Sequence, residues 1–257
     1  MDAFIQAAQT VVSGSNEERC RAEASINTLI EHPDALDTLL RGLYEVDEMV
    51  FFFILIGIQR VIWKRWRFLT EEDKNRLSGV IIDLILTKSD SLQKFSQSKL
   101  EQILANICAQ AGSLEPVIQV LNAMTGGGQA ASGEEASDEG LARVRKKITG
   151  LSALSTVLDE ALNMEDPRLT LEQQKAVSSA AANMVVPATT LACTIISESL
   201  TITTSLASSG EGLQGVHARA LNTHFYSSRV ALETIRVIMV RIEMGPHVTP
   251  QVLDLLF

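Results

Sequence analysis

From Asp47 to Gln110 the apolar and polar positions recur with the period of an α-helix, and nowhere with that of a strand. Between Asn75 and Leu86, residues Leu77, Val80, Ile81, Leu84 and Ile85 fall at i, i+3, i+4, i+7 and i+8, which puts them on one stripe. Leu100, Ile103, Leu104, Ile107 and Cys108 repeat the spacing in the following segment. A helix with one apolar stripe and a short polar break on either side buries that stripe only by stacking on its neighbours. The pattern therefore predicts an all-α protein, an α-α superhelix of HEAT/ARM type built from antiparallel helix pairs, about five to six of them.

Start and stop signals place the elements. An opening helix over 1–12 carries Phe4, Ile5, Ala8 and Val12 on one side. Ser15 and Glu18 form the S-x-x-E capping box of a second helix, which buries Ala22, Ile26, Leu29 and Ile30 and stops at Pro33. A short partner over 34–43 completes the first hairpin. The second hairpin joins 47–66 to 70–87 through Arg67, Phe68 and Leu69, with Thr70 and Asp73 as its T-x-x-D start signal. The third pairs 91–110 with a short helix entered at Glu115 and Pro116 and ending by Met124.

Residues 125–140 turn to Gly, Ala, Ser and acids, too poor in apolar surface to offset their ordering entropy, and predict a flexible loop. Helical spacing returns with Leu141, Val144, Ile148, Leu151, Leu154, Leu158 and Leu162, and Asp166 and Pro167 end that helix. Thr170 and Gln173 cap a long helix toward Leu206, a second flexible loop covers 207–215, and a last clear helix covers 217–243. Thr249 and Pro250 begin another. Its residues Val252, Leu253, Leu255, Leu256 and Phe257 lack the polar outer face of a capping repeat, so further repeats are expected beyond it. The organisation read from sequence is repeats over 1–124, a linker over 125–140 and further repeats over 141–257.

Composition narrows the function. A net charge of −9 and a pI near 5.0 disfavour nucleic-acid binding, which needs clustered Lys and Arg, and suit basic protein partners. Cys20, Cys108 and Cys193 lie far apart inside helical patterns, as expected of thiols in a reducing compartment. The first twelve residues lack a secretory pattern, so cytosol or nucleus is expected. Two stretches are apolar enough to be tested as membrane spans. Gln59 and Arg60 end the run from Met49 to Ile58 at about half the length a bilayer needs. The uncharged run from Ala176 to Ser197 is broken by Pro187 and rich in Ser and Thr, so a buried repeat helix is expected rather than membrane insertion.

Candidate chemistry is sparse. Trp63 and Trp66, with Arg60, Lys64, Arg65 and Arg67, could form a basic aromatic patch for nucleic acid or lipid, but two aromatics three apart read more simply as packing between repeats. The Gly-rich run from Thr125 to Gly133 lacks G-K-[ST] and follows no strand, so it is a linker and not a phosphate cradle. Glu134, Glu135, Asp138 and Glu139 read as solvated charge. His217 and His224 share a helical side but have no third ligand at zinc spacing. No nucleophile or acid–base motif appears, Asp159 and Glu160 point to different helical faces, and no enzyme activity, cofactor or metal is expected.

One longer pattern resembles a known family. Ile62, Trp63, Lys64, Arg65, Trp66, Arg67, Phe68, Leu69, Thr70, Glu71, Glu72, Asp73 and Lys74 follow the order of a helix ending in Trp, a Leu, an acidic helix start and a Lys. The helix from Ser98, Lys99 and Leu100 to Ile107, and the hairpin from Leu158 to Leu162 followed by Thr170 to Lys175, extend the likeness. The chain in this respect resembles the importin-β-like nuclear transport receptors (karyopherins), and among them the exportin N-terminal region, over most of 16–257. Ser228 to Ile235, S-x-x-A-L-E-x-I, is similar to the exportin of profilin and actin. One departure is that Ala111, Gly112 and Ser113 stand where exportins often place Trp-Pro.

The resemblance implies a nuclear export receptor that shuttles between nucleus and cytoplasm. It further implies binding of the GTP-bound small GTPase Ran (Ran-GTP) on the inner helices of the first repeats, protein cargo such as actin with profilin, and nucleoporins. By helix position the Ran-facing candidates are Asp37, Arg41, Asp73, Asn75, Arg76, Asp83 and Gln119. A Ran-independent helical-repeat scaffold or adaptor fits the same periodicity.

Overall fold

The computed structural model of the protein describes residues 2–44, 46–126, 137–162, 167–208 and 216–242. Among these residues there are ten α-helices: α1 (Asp2–Ser13), α2 (Asn16–Glu31), α3 (Ala35–Gly42), α4 (Glu48–Arg65), α5 (Glu71–Lys88), α6 (Lys94–Ala111), α7 (Glu115–Thr125), α8 (Asp138–Ala161), α9 (Leu171–Ser208) and α10 (Val216–Arg241). A 3-10 turn, Trp66–Phe68, leads from α4 toward α5, and no strand occurs among the described residues.

The helices stack in two rows. In one, α2, α4, α6, α8 and α10 each pack on the next; in the other, α3 lies against α2 and α4, α5 packs on α7, and α7 rests on α6 and α8. This is the all-α superhelical array of paired helices that the periodicity predicts. One apolar cluster runs through it from Phe4 to Ile242.

The caps form as read. The Ser15 backbone N–H donates to the Glu18 carboxylate at 2.8 Å while the Glu18 N–H donates to the Ser15 hydroxyl, so two otherwise unpaired donors are satisfied reciprocally. Thr170 and Gln173 repeat the exchange at 2.8 and 3.2 Å. The Asp47 carboxylate accepts from the N–H groups of Met49 and Val50, both at 3.0 Å.

The apolar run from Met49 belongs to a helix packed on several sides. Val50, Phe51, Ile54, Leu55, Ile58, Val61 and Ile62 on α4 are buried, because α1, α2, α3 and α6 all pack on it. A helix surrounded by neighbours needs apolar residues on several faces, and this explains a composition that resembles half of a membrane span.

The other long apolar helix differs from expectation. α9 runs unbroken over 38 residues with Pro187 inside it, and it is the one described helix long and apolar enough to cross a membrane by length and composition. The helix continues past Pro187 because Pro187 and Asn183, whose carbonyl loses its N–H partner, both lie on the exposed side, where water can take the bond. Nor is α9 buried all round. Val177, Ala181, Val185, Ala188, Ala192 and Ile195 form one buried stripe, while the Thr190, Thr194, Thr201 and Thr204 hydroxyls donate to the carbonyls four residues back.

The predicted loop over 125–140 is too wide at both ends. Thr125 closes α7, and α8 starts at Asp138, with the Ser137 hydroxyl accepting from the Gly140 N–H at 3.1 Å. Asp138 and Glu139 are helix-start acids that complement the positive end of the helix dipole. Residues 127–136 lie outside the described residues, as do 209–215 in the second predicted loop and 243–257 in the last predicted helix.

Candidate functional site

The residues put forward for partner binding lie on α3, α5 and α7, which belong to one row. Four of them come together. Asp37 accepts from Arg41 at 2.7 Å and from Arg76 at 2.9 Å, and the second guanidinium nitrogen of Arg76 reaches Asp73 at 3.2 Å. Asp73 is itself held at the start of α5 by the Thr70 hydroxyl at 2.8 Å. Arg76 thus ties α3 to α5 through two carboxylates that remain 36% exposed. Asn75 and Asp83 stand apart and exposed on α5, and Gln119 donates to Glu115 within α7 at 3.2 Å.

The basic stretch around Trp63 is taken up by the neighbouring repeat. Arg60 donates to Asn27 at 2.7 Å, Lys64 pairs with Glu31 at 3.0 Å, and Arg65 donates to the backbone carbonyl of His32. These cations cover the C-terminal end of α2, where unpaired carbonyls and the negative end of the helix dipole favour positive charge. Trp66 is buried and stacks under Lys74, while Trp63 is 39% exposed. The Trp63 indole donates to Asn106 on α6, and the Arg168 guanidinium lies 4.3 Å from its ring centre. Trp63 therefore joins repeats through its edge and face, whereas Trp66 is buried against Lys74 of its own hairpin.

Gly112 ends α6 in the left-handed conformation, φ 64°, and a Cβ there would come within 3.3 Å of the Ala176 Cβ on α9. Beside it the Gln173 amide donates to the Gln110 carbonyl. The first turn of α9 occupies the space just beyond α6, and this accounts for a small residue there.

Two buried polar features carried no sequence motif. At the α6–α8 interface Glu101 is 5% exposed, and its carboxyl is pushed above the usual range by burial, opposed by hydrogen bonds from Ser152 and Thr156. Nearby, Lys99 donates to Gln59 at 3.2 Å and Gln102 at 2.8 Å; burial lowers its pKa and the Glu160 charge works against that. The only hint in the sequence was that Ser152 and Thr156 lie four apart on an otherwise apolar face. Cys108, on the same helix, has its pKa pushed to about 12 by burial, so its thiol stays protonated at neutral pH.

The second feature is a cavity of about 580 Å³ between α8, α9 and α10. His224 is 2% exposed there, with its Nδ1 3.4 Å from the Ser199 hydroxyl. His217 sits elsewhere on α10, and among the described residues no group of three or more metal-ligating side chains comes together.

No family model matches the chain, and no curated protein does. Among solved structures it is similar to the crystal structure of an engineered protein, over 94% of this chain and 98% of that one, with 15% identity and a TM-score of 0.29. A likeness that faint assigns neither function nor fold.

Proposed function

We propose that the protein is an exportin-like nuclear transport receptor, or the N-terminal portion of one, whose row of α3, α5 and α7 takes Ran-GTP and whose array wraps protein cargo. The observation that carries this reading is that the seven candidates all lie on helices of one row and all reach solvent, on an acidic array that stacks as paired helices. The resemblance of the segment from Ile62 to Lys74 supplies the family. Ran-GTP and cargo would each favour the same curvature of the stack, so binding of either raises affinity for the other by linkage. Profilin with actin is the first cargo to test, and the protein then shuttles between nucleus and cytoplasm past nucleoporins.

Pull-down with Ran locked in its GTP and GDP states tests the proposal. Retention of the GTP form at least tenfold above the GDP form is the expected result; equal or absent retention of both overturns it. A second reading, a Ran-independent scaffold, draws on the engagement of Asp37, Asp73 and Arg76 with one another, which gives them a structural task without any partner. A stable protein complex indifferent to nucleotide would favour it.

A further inference from the structure

In the row of α2, α4, α6, α8 and α10, each of α4, α6 and α8 has a row member on either side, whereas α10 packs on α8 and α9 and is met by no further row member among the described residues. The face left over is apolar. Phe225 is 65% exposed, Leu232 57% and Met239 54%. Standing seven residues apart, they fall nearly into one line along the helix, with Leu221 and Ile235 half-buried at its edge. The face used by the fold is a different one, formed by Ala220, Ala231, Thr234 and Ile238. A single exposed apolar side chain needs no explanation, but a line of them on one helix marks a contact surface.

Charge says what kind of contact. Arg229 and Arg236 stand four residues after Phe225 and Leu232, so one flank of the line repeats an arginine every seven residues. α10 as a whole carries four arginines against one glutamate, in a chain of net charge −9. Three of the four have a carboxylate each: Arg219 lies 3.9 Å from Asp138, Arg241 donates to Asp159 at 2.8 Å, and Arg236 reaches Glu233 at 2.6 Å. Arg229 makes no ion pair among the described residues. Its charge acts on Glu233, which Arg236 already holds, and Glu160, in the same groove as Arg229, sits in the field of Lys99.

An apolar line at heptad spacing is matched by another amphipathic helix, and an arginine flank favours carboxylates on it. A second copy fits poorly. A twofold that lays α10 antiparallel on itself sets the arginine flank against its own image, and each copy carries −9. An anionic membrane surface meets the same net repulsion.

We infer that the outer face of α10 docks an acidic amphipathic helix of a partner protein, with the apolar stripe of that helix on Phe225, Leu232 and Met239 and its carboxylates beside Arg229 and Arg236. α10 lies outside the α3, α5 and α7 row, so the fate of this inference is separate from that of Ran binding.

Fluorescence anisotropy of the whole chain with two labelled helical peptides of three heptads tests the inference. Both carry Leu at the first and fourth heptad positions, and the flanking positions are Glu in one and Lys in the other. The Glu peptide binds once per chain and saturably, at least tenfold more tightly than the Lys peptide, and weakens as salt rises. Leu232→Ser and Phe225→Ser, both at exposed positions, each weaken it at least tenfold while the thermal midpoint holds. Arg229→Glu with Arg236→Glu reverses the preference between the two peptides, an outcome that loss of folding could not produce. Equal affinity for both peptides, or binding of the Glu peptide indifferent to Leu232→Ser, overturns the inference. So does a dimer in sedimentation that Leu232→Ser dissociates, which would give the face to a second copy, or capture by phosphatidylserine vesicles without capture of the Glu peptide, which would give it to a membrane.

Discussion

The Thr156 hydroxyl on α8 donates to the Glu101 carboxyl on α6 at 3.0 Å, and Ser152, one turn earlier, donates to the same oxygen at 3.1 Å. The other carboxyl oxygen is buried with no hydrogen-bond partner. Two hydroxyls therefore compensate half of a carboxylate whose ionised form burial disfavours.

Because the folded-state pKa of Glu101 is raised, the folded chain binds this proton more tightly than the unfolded chain. Its stabilising contribution is present below the unfolded value of about 4.3 and is lost as pH rises through the folded value. Glu101→Gln, neutral at every pH, should exceed the parent by about 1–3 kcal/mol at pH 8 and by almost nothing at pH 4. Urea unfolding at both pH values measures it. A variant weaker than the parent at pH 8 would show that the charged form is well compensated.

The Asp37–Arg76 pair is a surface contact. A double-mutant cycle with Asp37→Asn and Arg76→Gln should give a coupling of about 0.2–1 kcal/mol that shrinks in 1 M salt. If the same substitutions abolish Ran-GTP capture while stability moves no further than that, the two residues act at a partner surface and not only between α3 and α5.

At Gly112 the left-handed backbone and the nearby Ala176 act together. Gly112→Ala should lower stability by about 1–2 kcal/mol, with Gly112→Asn costing less. Chemical denaturation of the two variants settles the order; equal and negligible losses would mean that α9 shifts freely at its first turn.

Trp63→Phe keeps a ring for Arg168 but deprives Asn106 of its indole donor, and should cost about 1 kcal/mol. The tryptophan left behind is Trp66, which is buried, so emission of Trp63→Phe should lie to the blue of the Trp66→Phe protein. The reverse order would contradict the burial of Trp66.

The repeat architecture was legible because stacking leaves a local signature: one stripe per helix and a cap at most starts, as at Ser15, Asp47 and Thr70. What escaped the sequence depends on residues distant along the chain. The basic run at Arg60, Lys64 and Arg65 has no visible partners until α2 is brought alongside. Pro187 reads as a break because local rules assume a neighbour that would be disturbed, whereas it faces water. Asp37 and Arg76 lie on helices that the periodicity predicts, but their mutual contact spans two repeats and has no periodicity to announce it. Glu101 was invisible for the same reason, since its partners lie on α8.

α8 rests at once on α6, α7, α9 and α10, so it straddles the stretch of chain where composition alone suggests a boundary. The array should for that reason behave as a single spring and not as two plates on a hinge. A protease cut placed within 127–136 should leave both fragments co-migrating on gel filtration and unfolding in one transition; separation of the fragments would mean that the molecule bends there instead of flexing along its whole length.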